Sequence, residues 1–133
     1  MRLYLDASTI VYSIEGITPV RDAAIARIDE AEGSSGGIIL TSRLSCLECR
    51  VKPLRDRNTE LLSYYDRFFT RASLRVIEIG PAIIDCATEL RARYGLKTPD
   101  AIHAATAIVE GADMLFTGDR DLLRCAELKV QVL

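Results

Sequence analysis

Arg2-Leu-Tyr-Leu-Asp6-Ala-Ser8-Thr-Ile10-Val-Tyr-Ser-Ile14-Glu15 shows two hydrophobic periods in succession. Arg2 to Asp6 alternates as a short apolar strand, and Ala7 to Glu15 changes to helical spacing through Ile10, Val11 and Ile14. A strand that feeds a helix, with an acid at the junction, is the unit from which parallel α/β sheets are assembled.

The same alternation continues outward from this unit. Pro19 opens a second helix with Ala23, Ala24, Ile28 and Ala31 on one face, and Gly33-Ser-Ser-Gly-Gly37 ends it. Ile38 to Thr41 predicts a second strand. Thr41 or Ser42 caps a helix that carries Leu44, Leu47, Glu48 and Val51 until Pro53 interrupts it. Asp56 to Arg71 predicts a long helix, with Leu61, Leu62, Tyr65, Phe68 and Phe69 along its apolar face. Leu74 to Ile79 predicts a third strand. Gly80-Pro81 starts a helix that Gly95 stops, and Thr98-Pro99-Asp100 starts another that ends at Gly111. Met114 to Thr117 predicts a fourth strand, Gly118 to Cys125 a helical turn, and Lys129 to Leu133 offers a fifth strand. The expected fold class is α/β: a three-layer α/β/α sandwich around a mainly parallel sheet of four to five strands, with residues 1–133 as one domain.

At 133 residues and 49% hydrophobic the chain has enough apolar surface for a core without disulfides, so Cys46, Cys49, Cys86 and Cys125 read as reduced thiols. The C-x-x-C of Cys46 and Cys49 lacks a second pair, and one histidine cannot complete a zinc site. Apolar runs such as Ile38 to Leu40 and Ala104 to Ala107 are far too short to span a membrane. The expectation is a cytoplasmic protein. A net charge of −2 argues against a general nucleic-acid glue. Yet between Arg43 and Arg75 eight basic residues face four acids, which leaves a basic flank in an otherwise acidic chain.

Right-handed crossovers place the carboxyl ends of parallel strands on one edge of the sheet, where open α/β sheets hold their ligands. Asp6 ends the first strand, Glu48 lies on the helix after the second, Asp100 begins the helix leading into the fourth, and Asp119 follows the fourth. At an effective dielectric of about 20, two full charges roughly 5 Å apart repel by about 3 kcal/mol. A shared divalent cation removes that repulsion and points to hydrolytic chemistry.

Taken singly, each acid has a plainer account. Asp6 suits a helix cap, Asp100 suits the first turn of a helix, and Asp119 and Asp121 suit a turn. Glu48 is different, because it lies among apolar neighbours in Leu44-Ser-Cys-Leu-Glu48-Cys and needs a partner, either a cation shared with the aspartates or an arginine. His103, three residues after Asp100, reads as a packed and hydrogen-bonded histidine rather than a base. Tyr64, Tyr65, Phe68 and Phe69 at helical spacing read as core or interface rather than as a base-stacking platform.

Four stretches together resemble the PIN-domain ribonucleases, and within them the VapC-type toxins of toxin–antitoxin pairs: Tyr4-Leu-Asp6-Ala-Ser8, the helix bearing Glu48, Leu96-Lys-Thr-Pro-Asp100-Ala-Ile-His103, and Leu115-Phe-Thr-Gly-Asp119-Arg-Asp121. The resemblance implies a metal-dependent endoribonuclease that cleaves single-stranded or loop RNA with Mg²⁺ or Mn²⁺. It implies Asp6, Glu48, Asp100 and Asp119 as catalytic, metal-binding acids, Asp121 as a further ligand, and Ser8 and Thr117 as polar supports. It also implies a VapB-like antitoxin and a homodimer. Arg43 and Arg50, close to Glu48 in sequence, are the candidates for holding the RNA backbone. Thr-Gly-Asp-Arg-Asp-Leu departs from relatives, which often carry Asn and Phe around these acids, and leaves the division of work between Asp119 and Asp121 open.

The serious alternative is a PIN-like module that binds RNA or protein without catalysis; the presence of all four acids counts against it. A phosphorylation receiver needs an acceptor aspartate after the third strand, where this chain has Ile79-Gly80-Pro81. A phosphate loop should follow a strand, whereas Gly33 to Gly37 precedes one.

Overall fold

A computed structural model describes residues 1–133. Its strands are β1 (Arg2–Leu5), β2 (Ile38–Ser42), β3 (Leu74–Ile77), β4 (Met114–Thr117) and β5 (Val130–Val132). The helices are α1 (Ala7–Glu15), α2 (Val20–Gly33), α3 (Arg43–Arg55), α4 (Thr59–Phe69), α5 (Pro81–Tyr94) and α6 (Thr98–Val109), with a 3-10 turn at Arg120–Arg124. All five strands are parallel, in the order β3-β2-β1-β4-β5, so the fifth strand forms.

The two-residue period of the strands divides the core between the faces of the sheet. Leu3, Leu5, Ile39 and Phe116 point to one side, where Ala7, Ile10, Ile28, Ala31, Cys49, Tyr65 and Phe68 from α1 to α4 cover them. Tyr4, Leu40 and Leu115 point to the other, against Ile83, Ala87 and Leu90 of α5 and Ala101, Ala104, Ala105 and Ala107 of α6. Burying a Leu, Ile or Phe side chain contributes about 1.5–3 kcal/mol, so the two layers together supply the main stabilisation. The alanines let α6 approach the sheet closely, which brings its first turn near the strand ends.

Several boundaries differ from the sequence reading. Pro53 does not interrupt α3, which runs on to Arg55. It sits in the last turn, where its missing N–H costs only one rung of the ladder. Arg57, with φ 53, then reverses the chain, and Asn58 caps α4 by accepting from the Leu61 N–H, so that helix starts at Thr59 rather than Asp56. At its other end α4 stops at Phe69, short of Arg71. β3 ends at Ile77 because its pairing ends where Ile77 meets Ser42, the last residue of β2. No helix is long and apolar enough to cross a membrane.

Candidate active site

In this strand order β1 and β4 are neighbours whose onward connections leave in opposite directions, which makes the crevice beyond their carboxyl ends the switch point of the sheet. Asp6 follows β1 and Thr117-Gly118-Asp119 closes β4, so both segments enter that crevice. Asp100 arrives from the first turn of α6.

Asp6 is only 4% exposed, yet it is well supplied with donors. Its Oδ1 accepts from the Thr9 N–H at 3.1 Å, capping α1, and from Ser8 Oγ at 2.6 Å; its Oδ2 accepts from Thr117 Oγ1. Each of these hydroxyls has one proton and gives it to Asp6. Their oxygens are then free to accept, Ser8 Oγ from the Gly118 N–H and Thr117 Oγ1 from the Asp119 N–H, both at 2.9 Å. Two hydroxyls thus clamp β1 to the loop after β4 through one carboxylate. Gly118 makes the approach possible: a Cβ there would lie 2.5 Å from Tyr12 Cε2 and 3.3 Å from Ser8 Oγ. The Asp6 cap and the Ser8 and Thr117 hydroxyls are therefore parts of one arrangement.

Asp100, Asp119 and Asp121, all half-buried, each offer a carboxylate oxygen within 4.8 Å of the others. Asp119 Oδ1 accepts from the Asp121 N–H at 2.8 Å, which holds the 3-10 turn, and Asp121 lies 3.1 Å from Arg124 Nη2. Burial pushes the Asp100 carboxyl up to about 6, and the charge of Asp119, a hydrogen bond to it and the charge of Asp6 push the same way. This is the crowding expected of acids collected at one strand edge. Oxygen-only donors held this close fit a hard divalent cation such as Mg²⁺ or Mn²⁺. Both acids of the Asp-Arg-Asp stretch belong to the group.

Glu48 is not part of that trio. Its partner is neither an arginine nor a carboxylate: Oε1 lies 2.7 Å from His103 Nε2, and His103 Nδ1 lies 2.7 Å from the Tyr4 hydroxyl. His103 is the packed, hydrogen-bonded histidine that its setting on an alanine-rich helix suggested. Its link to Glu48, 55 positions away, was not foreseen. The available signal was a lone histidine and a partnerless glutamate in one chain.

The basic flank is engaged elsewhere. Arg43 holds exposed Glu78, its Nη2 2.6 Å from Oε2, and Arg50 Nε stands 3.1 Å from Asp66 Oδ1 without hydrogen-bond geometry. Arg21, Arg67 and Arg71 instead line a cleft of about 460 Å³ with Tyr64, Arg67 lying over the Tyr64 ring. Tyr65 and Phe68 are core, as their spacing predicted, whereas Tyr64 is exposed.

A parallel α/β domain with aspartates gathered at its switch point is the class that fold and site define. The chain belongs to the PIN domain family, whose model matches residues 3–128. No curated protein matches it by sequence. Among solved structures it is similar to VapBC2 from Rickettsia felis, bound to a DNA fragment from its promoter, with a TM-score of 0.81, 21% identity and coverage of 99% of this chain and 98% of that one. A toxin–antitoxin complex from Klebsiella pneumoniae aligns with a TM-score of 0.73 at 20% identity, covering 98% and 96%. VapC20 from Mycobacterium tuberculosis, a sarcin-ricin loop cleaving toxin, aligns with a TM-score of 0.73 at 15% identity, covering 96% and 98%. At these identities the likeness concerns the fold.

Proposed function

We propose that this chain is a Mg²⁺- or Mn²⁺-dependent endoribonuclease, the toxin of a toxin–antitoxin pair, acting as a homodimer and restrained by a VapB-like antitoxin. The observation that carries this reading is the convergence of Asp100, Asp119 and Asp121 beside the clamped Asp6 at the switch point of the sheet. Membership of the PIN domain family supports it, as do the similar structures, which include a loop-cleaving toxin and toxin–antitoxin complexes.

In this reading Asp100, Asp119 and Asp121 hold the cation, with Asp6 and Glu48 completing the acidic set. Once bound, a divalent cation lowers the pKa of a coordinated water and neutralises charge growing on the phosphate. The protein's own part is positional. Asp6 cannot swing while Ser8, Thr9 and Thr117 donate to it, so its oxygens keep a fixed aim. Partial burial of Asp100, Asp119 and Asp121 beside buried Asp6 strengthens the pull of these carboxylates on a cation. Arg43 and Arg50 would reach the RNA backbone by exchanging Glu78 and Asp66 for phosphate, and exposed pairs of this kind exchange readily. On α3, Leu47, Val51 and Leu54 form an exposed apolar stripe, the surface a second copy would cover.

The test is incubation of the purified chain with a defined RNA set, with and without Mn²⁺, followed by mapping of the cleavage positions. Cleavage should require the metal, and Asp100→Asn should abolish it while the circular dichroism spectrum stays unchanged. Full activity in folded Asp100→Asn would refute the assignment. Absence of cleavage by the parent with every RNA, together with retained antitoxin binding, would favour the non-catalytic alternative.

A further inference from the structure

The Glu48, His103 and Tyr4 side chains form a hydrogen-bonded line from the surface of α3 into the core. Glu48 is about one-third exposed, His103 is 2% exposed, and Tyr4 is fully buried under α6. The rings of Tyr4 and His103 meet edge-on, with centroids 5.9 Å apart and planes at 63°. A histidine so enclosed has no freedom to turn, and both ring nitrogens have partners at 2.7 Å.

The direction of each hydrogen bond follows from what each partner can offer. A carboxylate oxygen of Glu48 accepts, so its contact with Nε2 at 2.7 Å places the ring proton on Nε2. An imidazole with its proton on Nε2 has an acceptor at Nδ1, and the Tyr4 hydroxyl 2.7 Å away has a proton to give it.

We infer that His103 is the positioning residue of Glu48: its Nε2–H, oriented by the Tyr4 hydroxyl at Nδ1, holds one carboxylate oxygen of Glu48 and leaves the other free to take a ligand. The importance of this for catalysis rests on the nuclease reading, but the hydrogen-bond pattern does not. Glu48 sits on α3 and Asp100 on α6, and nothing else in the acidic set ties those two helices together by a side-chain bond. The loss of such an outer partner of a catalytic or ligating group lowers activity by about 10- to 100-fold in comparable sites.

Because the chain has a single histidine, its side-chain nitrogens can be read without ambiguity by long-range ¹H–¹⁵N correlation NMR on the ¹⁵N-labelled full chain. A protonated, pyrrole-type Nε2 is expected in the parent protein. A bare Nε2 would overturn the inference whether or not the protein cleaves RNA. The kinetic arm compares two replacements of similar size. His103→Gln can put an amide N–H near the place of Nε2, whereas His103→Asn puts its polar atoms near Nδ1 and leaves Glu48 without a donor. With Mn²⁺ and RNA, His103→Asn should lose about 10- to 100-fold in kcat with little change in KM, and His103→Gln should recover most of it. Equal activity of the two folded variants would overturn the positioning role. If either variant fails to fold, Tyr4→Phe provides the check: loss of the donor at Nδ1 should shift the Nε2 resonance, and an unchanged resonance would count against the relay. A parent protein without any cleavage would remove the nuclease reading and leave the NMR arms standing.

Discussion

In protein stripped of divalent cations, Asp100→Asn should stabilise the fold at neutral pH and leave it unchanged near pH 4. Asn keeps the shape of the side chain and removes its charge. Asp100 is pushed from the ordinary 3.8 to about 6, chiefly by burial and then by Asp119, so the folded protein holds this proton to higher pH than the unfolded chain does. Wherever the folded state binds more protons, stability falls as pH rises. The parent therefore loses stability between pH 3.8 and about 6, and above that the loss is complete. The asparagine of the variant has no proton to lose in that window.

The size of the effect follows from the same displacement. Each tenfold change in proton affinity is worth about 1.4 kcal/mol, so a displacement of this size corresponds to ~3 kcal/mol before solvent screening. Asp100 is only half-buried, and screening brings the expected gain to ~1 kcal/mol. For a domain of this length that is a rise of about 4 °C in Tm. The assay is thermal unfolding of both proteins in EDTA across pH 4 to 7.5, with the Tm difference plotted against pH. The difference should open from near zero through the window set by Asp100. Adding Mn²⁺ should raise the parent's Tm more than the variant's, since a ligand stabilises the folded state with the logarithm of its concentration over its Kd. A Tm difference that is constant with pH, or a variant less stable than the parent at pH 7.5, would refute the crowding of these acids.

Thr117→Val removes the donor to Asp6 Oδ2 and the acceptor of the Asp119 N–H in one step, at a fully buried position. A loss of about 2–3 kcal/mol is expected in urea unfolding, and a change under about 0.5 kcal/mol would mean the hydroxyl clamp does not exist. Gly118→Ala should cost about 1–3 kcal/mol, because the new methyl meets the Tyr12 ring at 2.5 Å. Combining it with Tyr12→Ala should restore much of that loss, and strict additivity of the two changes in a double-mutant cycle would show that the ring is not the obstacle.

The element order was readable because each strand and helix carries its own period, as in the change from Tyr4-Leu to the Ile10, Val11 and Ile14 spacing of α1. Strand order was not readable. Parallel neighbours are joined through long crossovers, and nothing local in Met114 to Thr117 says that β4 lies beside β1 rather than beside β3. The carboxyl edge could thus be predicted, but not the switch point on it. The same limit explains Glu48: a sequence reading could establish that this carboxylate needed a partner, yet His103 reaches it only because the alanines of α6 let that helix settle against the sheet. Pro53 marks the opposite situation, in which a strong local signal was overridden by position, the proline falling late enough in α3 that the helix outlasts it.

The acids of the crevice divide by how they are held. Asp6 and Glu48 are fixed by hydrogen-bond donors: hydroxyls and a backbone N–H for the first, an imidazole N–H for the second. Asp100 is not; the neighbours that move its carboxyl furthest, after burial, are Asp119 and Asp6. Removing a donor from the first class leaves buried polar atoms unsatisfied, whereas removing a charge from the second relieves repulsion. Thr117→Val and Asp100→Asn therefore act on one site with opposite signs in the metal-free protein. A cation offered to this crevice meets its strongest demand at Asp100, where burial and the like charge of Asp119 act together, and meets in Asp6 a carboxylate already held in place. The fold keeps its unrelieved repulsion in one half-buried corner and concentrates the rigid hydrogen bonding on the residues around it, which is the division a site requires if it is to be ordered before its ion arrives and relieved of strain only after.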